Sequence, residues 1–198
     1  MVKVKVCGIT NLDDALAAVE FGTDMLGFIF ANSPRRIEEK TAKDIIANLP
    51  RSVLKVGVFM DHPIDEVNEI SEFCRFDMAQ LHGRESPEFC AAITVKVIKS
   101  FSPETLPNPD RLTGYPVEAF MLDRQKGAEI RPEELWPIAR EIASNHRLIL
   151  AGGLTPENVA EAIRAVEPYA VDVASGVEKA PGIKDHHKMK DFISSARW

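Results

Sequence analysis

Hydrophobic positions along the chain follow two alternating patterns. Short runs rich in Val, Ile, Leu and Phe, either continuous or with a period of about two residues, predict strands. Stretches in which apolar residues recur about every three to four positions lie between these runs and predict amphipathic helices. The eight predicted strands are VKVKVC (2–7), MLGFIF (25–30), LKVGVF (54–59), MAQLH (78–82), KVIKSF (96–101), AFMLD (119–123), RLILAG (147–152) and AVDVAS (170–175).

Residues at the ends of the helical stretches support this division. Asn11 is a suitable cap for the first helix, and Gly22 is placed to end it. Pro63 is predicted as the first residue of the helix in PIDEVNEISEFC. In TPENVAEAIRAV, Thr155 is predicted as the N-cap and Pro156 as the first helical residue.

Eight strand and helix units in 198 residues give about 25 residues per unit, close to the ~30 that a strand and a crossover helix need. The chain is therefore predicted to be one α/β domain over residues 1–198, a (β/α)8 TIM barrel. The segment SPETLPNPDRLTGYP is too rich in Pro and Gly for a full helix, so the fifth crossover is expected to be short or irregular. An open doubly wound sheet is the alternative, but such sheets usually carry a glycine-rich turn where this chain has a lone Gly8.

Composition and charge narrow the function classes. With 45% apolar and 27% charged residues, the chain has the composition of a globular protein with a sizeable core. A net charge of −6 argues against nucleic-acid binding, which needs clustered Lys and Arg. Neither an N-terminal leader pattern nor a run of about 18 apolar residues is visible, so no membrane association is expected and the cytoplasm is the expected location. Oligomeric state is open between monomer and homodimer.

The three cysteines form no CxxC pair and are expected to be free thiols in a reducing compartment. Cys74 and Cys90 are interpreted as small buried apolar residues. The sequence holds no cluster of His, Cys and carboxylates with metal-ligand spacing.

In a β/α barrel, the reactive residues lie at the carboxyl ends of the strands. Gly152 and Gly153 end the seventh predicted strand, and Ser175 and Gly176 end the eighth. Glycines allow backbone N–H groups to approach an anion closely, so these two turns predict a site for the phosphate of a small-molecule substrate. The other polar residues at strand ends or just beyond them are Cys7, Arg36, Gln80, His82, Lys99 and Asp123.

The segments KVCGIT, LGFIFANSPRRI, VGVF, QLHG, LAGGLTPENV and VDVASGVEKAPGIKD resemble, in that order, those of the phosphoribosylanthranilate isomerase family of tryptophan biosynthesis. The resemblance covers nearly the whole chain and implies a β/α barrel that works without a cofactor or metal. It further implies an Amadori rearrangement of N-(5-phosphoribosyl)anthranilate to the 1-deoxyribulose 5-phosphate amine. That reaction requires an acid that opens the ribose ring and a base that removes the C2 proton.

The resemblance assigns roles to individual residues. Cys7 corresponds to the family base, Asp123 to the acid, and Arg36 to the arginine that holds the anthranilate carboxylate. Gln80 and His82 are expected to contact either the substrate region or neighbouring loops, and Gln80 is the stronger candidate for substrate binding. One of the two adjacent arginines is expected to be only surface charge, and Arg35 is the candidate for it. Asp172 is interpreted equally as barrel packing or a ligand contact. Glu178, Lys184 and Asp185 are interpreted as structural parts of the terminal loop.

One segment departs from the family pattern. After Asp123 the family usually has a glycine-rich loop of the type GGxGxxFDW, whereas this chain reads DRQKGAEIRPEELW, in which Lys126, Gly127 and Arg131 occupy the region. Such loops cover the site, so the change affects closure, substrate choice or neither. Two further readings stay open: a barrel enzyme for another phosphorylated sugar amine, which Cys7 disfavours, and a phosphate-binding barrel without catalysis.

Overall fold

The structure is a computed structural model that describes residues 1–124 and 131–197. Eight parallel strands pair in the order β1 to β8, and β8 pairs with β1 to close the barrel. The (β/α)8 prediction is therefore confirmed. The strands are β1 Lys3–Cys7, β2 Met25–Ile29, β3 Leu54–Phe59, β4 Met78–Leu81, β5 Lys96–Phe101, β6 Ala119–Leu122, β7 Leu148–Leu150 and β8 Ala170–Val173.

Helices follow the strands around the outside of the barrel. They are α1 Leu12–Glu20, α2 Glu39–Ile46, α3 Ile64–Cys74, α4 Pro87–Ala91, α5 Pro109–Leu112, α6 Trp136–Asn145, α7 Val159–Val166 and α8 His186–Ser195. After β8, a 3-10 turn at Ser175–Val177 leads into a hairpin of β9 Glu178–Ala180 and β10 Ile183–Lys184. A second 3-10 helix, Pro132–Leu135, precedes α6. No helix in the described part of the chain is long and apolar enough to cross a bilayer.

The helix signals in the sequence are confirmed at some positions and wrong at two. Pro63, predicted as the first residue of its helix, is the N-cap of α3, which begins at Ile64. The Asn11 side chain accepts a hydrogen bond from the Asp14 N–H at 2.9 Å, and α1 ends just before Gly22. The fifth crossover is the four-residue helix α5, as expected. The predicted start of α7 at Thr155 is wrong, because the Asn158 side chain accepts from the Thr155 N–H at 2.8 Å and holds residues 155–158 as a turn before the helix.

Two apolar layers fill the fold. The outer layer packs strand residues such as Val4, Val6 and Val171 against the helices. The inner layer fills the barrel and consists of Met25, Val56, Met78, Ile98, Ala119, Met121, Ile149, Ala151 and Ala170. Because side chains alternate along a strand, the inner face continues upward through the polar residues that follow this layer.

Candidate active site

A cavity of about 680 Å³ opens at the carboxyl ends of the strands. Its wall comes from the loop after β2 and from the ends of β3 to β8. The lining includes Arg35, His82, Asp123, Gly152, Gly153, Asp172, Ser175 and Gly176. Five residues predicted from the sequence as site residues, one acid and four members of the glycine turns, therefore share one cavity.

Asp123 follows β6 directly and points into this cavity. Burial raises the pKa of Asp123 to about 7, and the Asp172 carboxylate adds to the rise, while Lys5 and Arg124 oppose it. His82 lies opposite, with Nε2 3.7 Å from Asp123 Oδ2. Burial also lowers the pKa of His82, so the imidazole is neutral near pH 7 and the two residues form no ion pair there. A protonated carboxyl group is therefore available at neutral pH.

Cys7 ends β1 on the inner face of the barrel, where only 5% of it is exposed. It is not among the residues that line the cavity. Burial raises the pKa of the Cys7 thiol, and Lys5 and Lys184 partly oppose this rise. The other two cysteines, Cys74 and Cys90, are buried free thiols, as expected.

The two arginines after β2 are arranged differently from the expectation. Arg35 lines the cavity and its guanidinium binds Glu178 through two nitrogens, with Nε 2.8 Å from Oε1 and Nη2 2.7 Å from Oε2. The prediction that Arg35 is surface charge is therefore wrong, because a buried carboxylate holds it. Arg36 is exposed and lies outside the cavity lining, and its backbone N–H donates to Ser33 O at 3.0 Å. Its role stays a prediction.

Gln80 lies lower in the barrel and is 2% exposed. Its Nε2 lies 3.3 Å from His82 Nδ1 and 3.3 Å from Met121 Sδ, while its buried Oε1 has no hydrogen-bond partner among the described residues. Gln80 thus supports the floor of the site from below the cavity lining. Its proposed contact with substrate stays a prediction.

The glycine turns have the backbone shape that the sequence suggested. Gly152 and Gly153 both have φ of +88°, in the left-handed region that favours glycine. A Cβ atom at Gly152 would lie 2.5 Å from Arg124 N, and one at Gly176 would collide with the Leu154 carbonyl oxygen. Among the described residues, neither the Gly152 nor the Gly153 N–H donates to a backbone acceptor. Gly152 and Gly153 therefore line the cavity with N–H groups that no backbone acceptor in the described part of the chain occupies.

The terminal motif is structural, as the sequence indicated. Lys184 Nζ is fully buried and donates to the carbonyls of Cys7 at 2.6 Å and Ala174 at 3.2 Å, and to Glu178 at 3.0 Å. Asp185 caps α8 by accepting hydrogen bonds from the His187 and Lys188 N–H groups. Residues Lys126 and Gly127 of the altered loop lie outside the described residues, and Arg131 Nε binds Glu134 at 2.8 Å.

The sequence patterns do not identify Lys5 as a residue of the site. Lys5 is fully buried, and its Nζ lies 2.8 Å from Asp172 Oδ1. The missed signal was topological: both faces of a barrel strand are covered, so a central lysine needs a buried anion. Asp172, which the sequence left between packing and ligand contact, both pairs with Lys5 and lines the cavity.

Comparisons with known proteins find similarity over the whole length of the chain. A family model described as N-(5'phosphoribosyl)anthranilate (PRA) isomerase matches residues 4–195. A relative from Geobacter metallireducens named N-(5'-phosphoribosyl)anthranilate isomerase is 49% identical, with 100% of both chains covered.

Two solved structures add to the comparison. A phosphoribosyl anthranilate isomerase from Thermus thermophilus has a TM-score of 0.88 and 40% identity, covering 99% of this chain and 98% of that one. A phosphoribosyl anthranilate isomerase solved in complex with reduced 1-(o-carboxyphenylamino)-1-deoxyribulose 5-phosphate has a TM-score of 0.84 and 38% identity, covering 100% and 99%.

Proposed function

The chain belongs to the N-(5'-phosphoribosyl)anthranilate isomerase family, and we propose that it catalyses the Amadori rearrangement of N-(5-phosphoribosyl)anthranilate to 1-(2-carboxyphenylamino)-1-deoxyribulose 5-phosphate. The observation that carries the proposal is the cavity-facing carboxyl group of Asp123, whose pKa is raised to about 7 by burial and by the Asp172 carboxylate. The enzyme is thus an aldose-ketose isomerase, an intramolecular oxidoreductase. The hydrogen atoms are redistributed within one molecule, so the reaction needs no external oxidant or reductant.

In the first half of the reaction, Asp123 acts as the general acid. It donates its proton to the ribose ring oxygen as the C1–O bond breaks, and the anilino nitrogen lone pair forms the C1=N bond of a Schiff base. A carboxyl group with an ordinary pKa near 4 is almost fully ionised at pH 7, whereas one with a pKa of about 7 is half protonated.

In the second half, the Cys7 thiolate acts as the general base. It removes the C2 proton, the C–H electron pair forms the C1=C2 bond, and the C1=N pair returns to nitrogen to give an enolamine. Proton transfer to C1 and loss of the C2 hydroxyl proton then complete the ketone. A buried thiol is a weak acid, so the base requires nearby positive charge, and Lys5 and Lys184 provide it.

The remaining proposed contacts bind the substrate. The backbone N–H groups of the turns at Gly152, Gly153, Ser175 and Gly176 bind the 5-phosphate, as is common after the last two strands of such barrels. Arg36 is exposed and follows Arg35, which lines the cavity, and its side chain is proposed to close on the anthranilate carboxylate when substrate is present. Gln80 is proposed to support the ring region from below.

We infer that residues 1–198 act as one barrel domain in the cytoplasm, consistent with three buried thiols without disulfide partners. Assembly is proposed as a monomer or a homodimer. All the proposed site residues come from one barrel, so neither state adds a group to the site. Size-exclusion chromatography with light scattering distinguishes the two.

Complementation of a tryptophan auxotroph lacking this isomerase, with steady-state kinetics of the purified protein, tests the proposal. We expect growth and turnover, and a loss of kcat of about 10²-fold or more for Cys7→Ala and for Asp123→Asn. Cys74→Ala is the matched control, because that thiol is equally buried on α3 and should leave kcat near the wild-type value.

Binding and turnover separate the proposal from its rivals. If the purified protein binds the reduced product analogue but converts no substrate, the barrel is a binding protein and the isomerase proposal fails. If it converts only other phosphorylated sugar amines, the substrate assignment fails while the acid and base assignments stand.

A further inference from the structure

A buried ion pair joins the two strands that close the barrel. Lys5 on β1 and Asp172 on β8 are register partners, and Lys5 Nζ lies 2.8 Å from Asp172 Oδ1. Lys5 is fully buried, whereas Asp172 reaches the cavity wall with 8% of its surface exposed. The pair therefore lies between the solvent-accessible part of the site and the closed interior below it. The steps proposed above use neither residue to transfer a proton.

The cationic end of this pair faces the proposed base. Residues 5 and 7 share the inner face of β1, because side chains alternate along a strand. A Cβ atom placed on Gly27, the β2 residue beside Cys7, would lie 2.7 Å from Cys7 Sγ and 3.1 Å from Lys5 Nζ. Both atoms thus border the small space left by the missing side chain of Gly27.

The anionic end faces the proposed acid. Asp172 and Asp123 line the same cavity, and after burial the Asp172 carboxylate is the strongest influence raising the pKa of Asp123. At Asp123, the Asp172 carboxylate raises the pKa more than Lys5 lowers it. At Cys7 the order is reversed, since Lys5 lowers the pKa of the thiol more than Asp172 raises it. The orientation of the pair therefore decides the direction in which it shifts the pKa of Cys7 and the pKa of Asp123.

We propose that Lys5 and Asp172 form a positioning pair that polarises the two proton-transfer groups in opposite senses: Lys5 stabilises the thiolate of Cys7, and Asp172 favours the protonated carboxyl of Asp123. The inference rests on the proposed isomerase function and explains how one site can shift an acid toward its protonated form and a base toward its thiolate at the same pH. A single fixed charge would favour one of these states and disfavour the other.

Other charges surround both groups and remain in place when the pair is removed. Lys184 Nζ lies 2.6 Å from the Cys7 carbonyl oxygen, and Arg35 interacts electrostatically with the Cys7 thiol. Asp123 is faced by Arg124 and by His82. These groups provide a constant background against which the effect of the pair is measured.

The test replaces both charges, so that neither is left buried alone. In Lys5→Met/Asp172→Asn, we expect the pKa of Cys7 to rise and that of Asp123 to fall. Titrations followed by NMR of ¹³C-labelled cysteine and aspartate measure both pKa values, with Cys7→Ser and Asp123→Asn assigning the signals. In kinetics, the acid and alkaline limbs of the kcat/KM profile should move apart, and the plateau should fall about tenfold or more as the active protonation state becomes rarer.

Asp172→Asn alone provides a second sign test that does not depend on the double variant folding. It leaves the Lys5 charge in place and removes the repulsion from both groups, so the pKa values of Cys7 and Asp123 should both fall. Lys99→Met/Glu85→Gln is the matched control. That lysine and carboxylate are also buried, 2.9 Å apart, and their loss should change stability without moving either titration.

A purely structural pair would lower stability in the variants and leave both titrations unchanged, and that result would overturn the proposal. The NMR titrations do not require turnover. If the protein proves inactive as an isomerase but the two pKa values move as stated, the proposed function fails and the polarising pair stands. If activity is present and the titrations do not move, the reverse holds.

Discussion

The raised pKa of Asp123 has a cost in stability at neutral and alkaline pH. Its carboxyl group has a pKa of about 7 in the folded protein against an ordinary value of 3.8, with burial as the main cause and the Asp172 charge as the second. The folded state therefore holds a proton that the unfolded chain has already released between these two values. As the pH rises through this window, the unfolded state is favoured, and the wild type loses stability.

We predict that Asp123→Asn is inactive yet more stable than the wild type at neutral and alkaline pH. Asparagine has nearly the same shape and cannot ionise, so it avoids the cost of ionising a carboxyl group that is only 28% exposed. A pKa difference of one unit corresponds to about 1.4 kcal/mol, and we expect a gain on the order of 2–4 kcal/mol at alkaline pH. Urea unfolding across the pH range measures it. A gain that does not grow with pH would contradict the assigned pKa.

Arg36 can be tested at the same scale. We predict that Arg36→Met raises KM by about tenfold or more and changes kcat less, because a carboxylate clamp contributes mainly uniform binding. Product analogues with and without the carboxylate separate this role from a general electrostatic one. An equal loss of affinity for both analogues in the variant would show that Arg36 does not hold the carboxylate. Arg35→Met is unsuitable as its control, since Arg35 anchors the buried Glu178.

At the scale of elements, the loop after β7 can be tested by a glycine substitution. Gly152→Ala would combine a strained φ of +88° with a contact at Arg124 N, at the proposed phosphate site. Gly22→Ala is the matched control: its φ is +93°, nothing lies within 4 Å of the added atom, and it follows α1. We expect both variants to lose about 1 kcal/mol or more of stability. Only Gly152→Ala should raise KM and weaken inhibition by inorganic phosphate. Equal KM values would place the phosphate elsewhere.

The sequence contained most of the fold because barrel strands buried on both faces appear as continuous apolar runs. All eight strands lie where the sequence predicts them. Several observed strands end one or two residues before the predicted end, since the last predicted residues leave the ladder to form the site loops. The start of α7 was misplaced because Thr155 and Pro156 carry the usual signals of a helix start. The competing bonds from Asn158, to the Thr155 N–H and to the Gly153 carbonyl, depend on where the preceding loop lies.

The residues of the site could be predicted from the sequence only where a motif or a strand end determines their position. Asp123 and the glycine turns follow from strand ends and family motifs, and they share the cavity. Lys5 was missed because the sequence does not show that Asp172, far away in the chain, is its register partner. The order of Arg35 and Arg36 was equally hidden, since a pair of adjacent arginines does not indicate which one meets Glu178. Long-range pairing is the information that local patterns lack.

At the scale of the whole molecule, the terminal hairpin fastens the closure of the barrel. Lys184 donates to carbonyl oxygens at the end of β1 and just after β8, and to Glu178 beside them. Glu178 also binds Arg35 from the loop after β2. A single buried cluster thus connects the first two units of the barrel to the last, close to the proposed base.

We predict that Glu178→Gln costs more stability than Lys184→Met, because Glu178 is the anion of two cations, whereas losing Lys184 leaves it bound to Arg35. Losses of about 3–5 kcal/mol and about 2–4 kcal/mol are expected, with the double variant losing less than their sum. A urea-unfolding double-mutant cycle measures this coupling.

Burial raises the pKa of Glu178, but Arg35 and Lys184 outweigh it, so the pKa is lowered below 4.5. The stability difference between wild type and Glu178→Gln should therefore hold above that value and shrink as the pH falls through the folded pKa. Additive losses, or a difference independent of pH, would mean that the cluster does not act as one unit in closing the barrel.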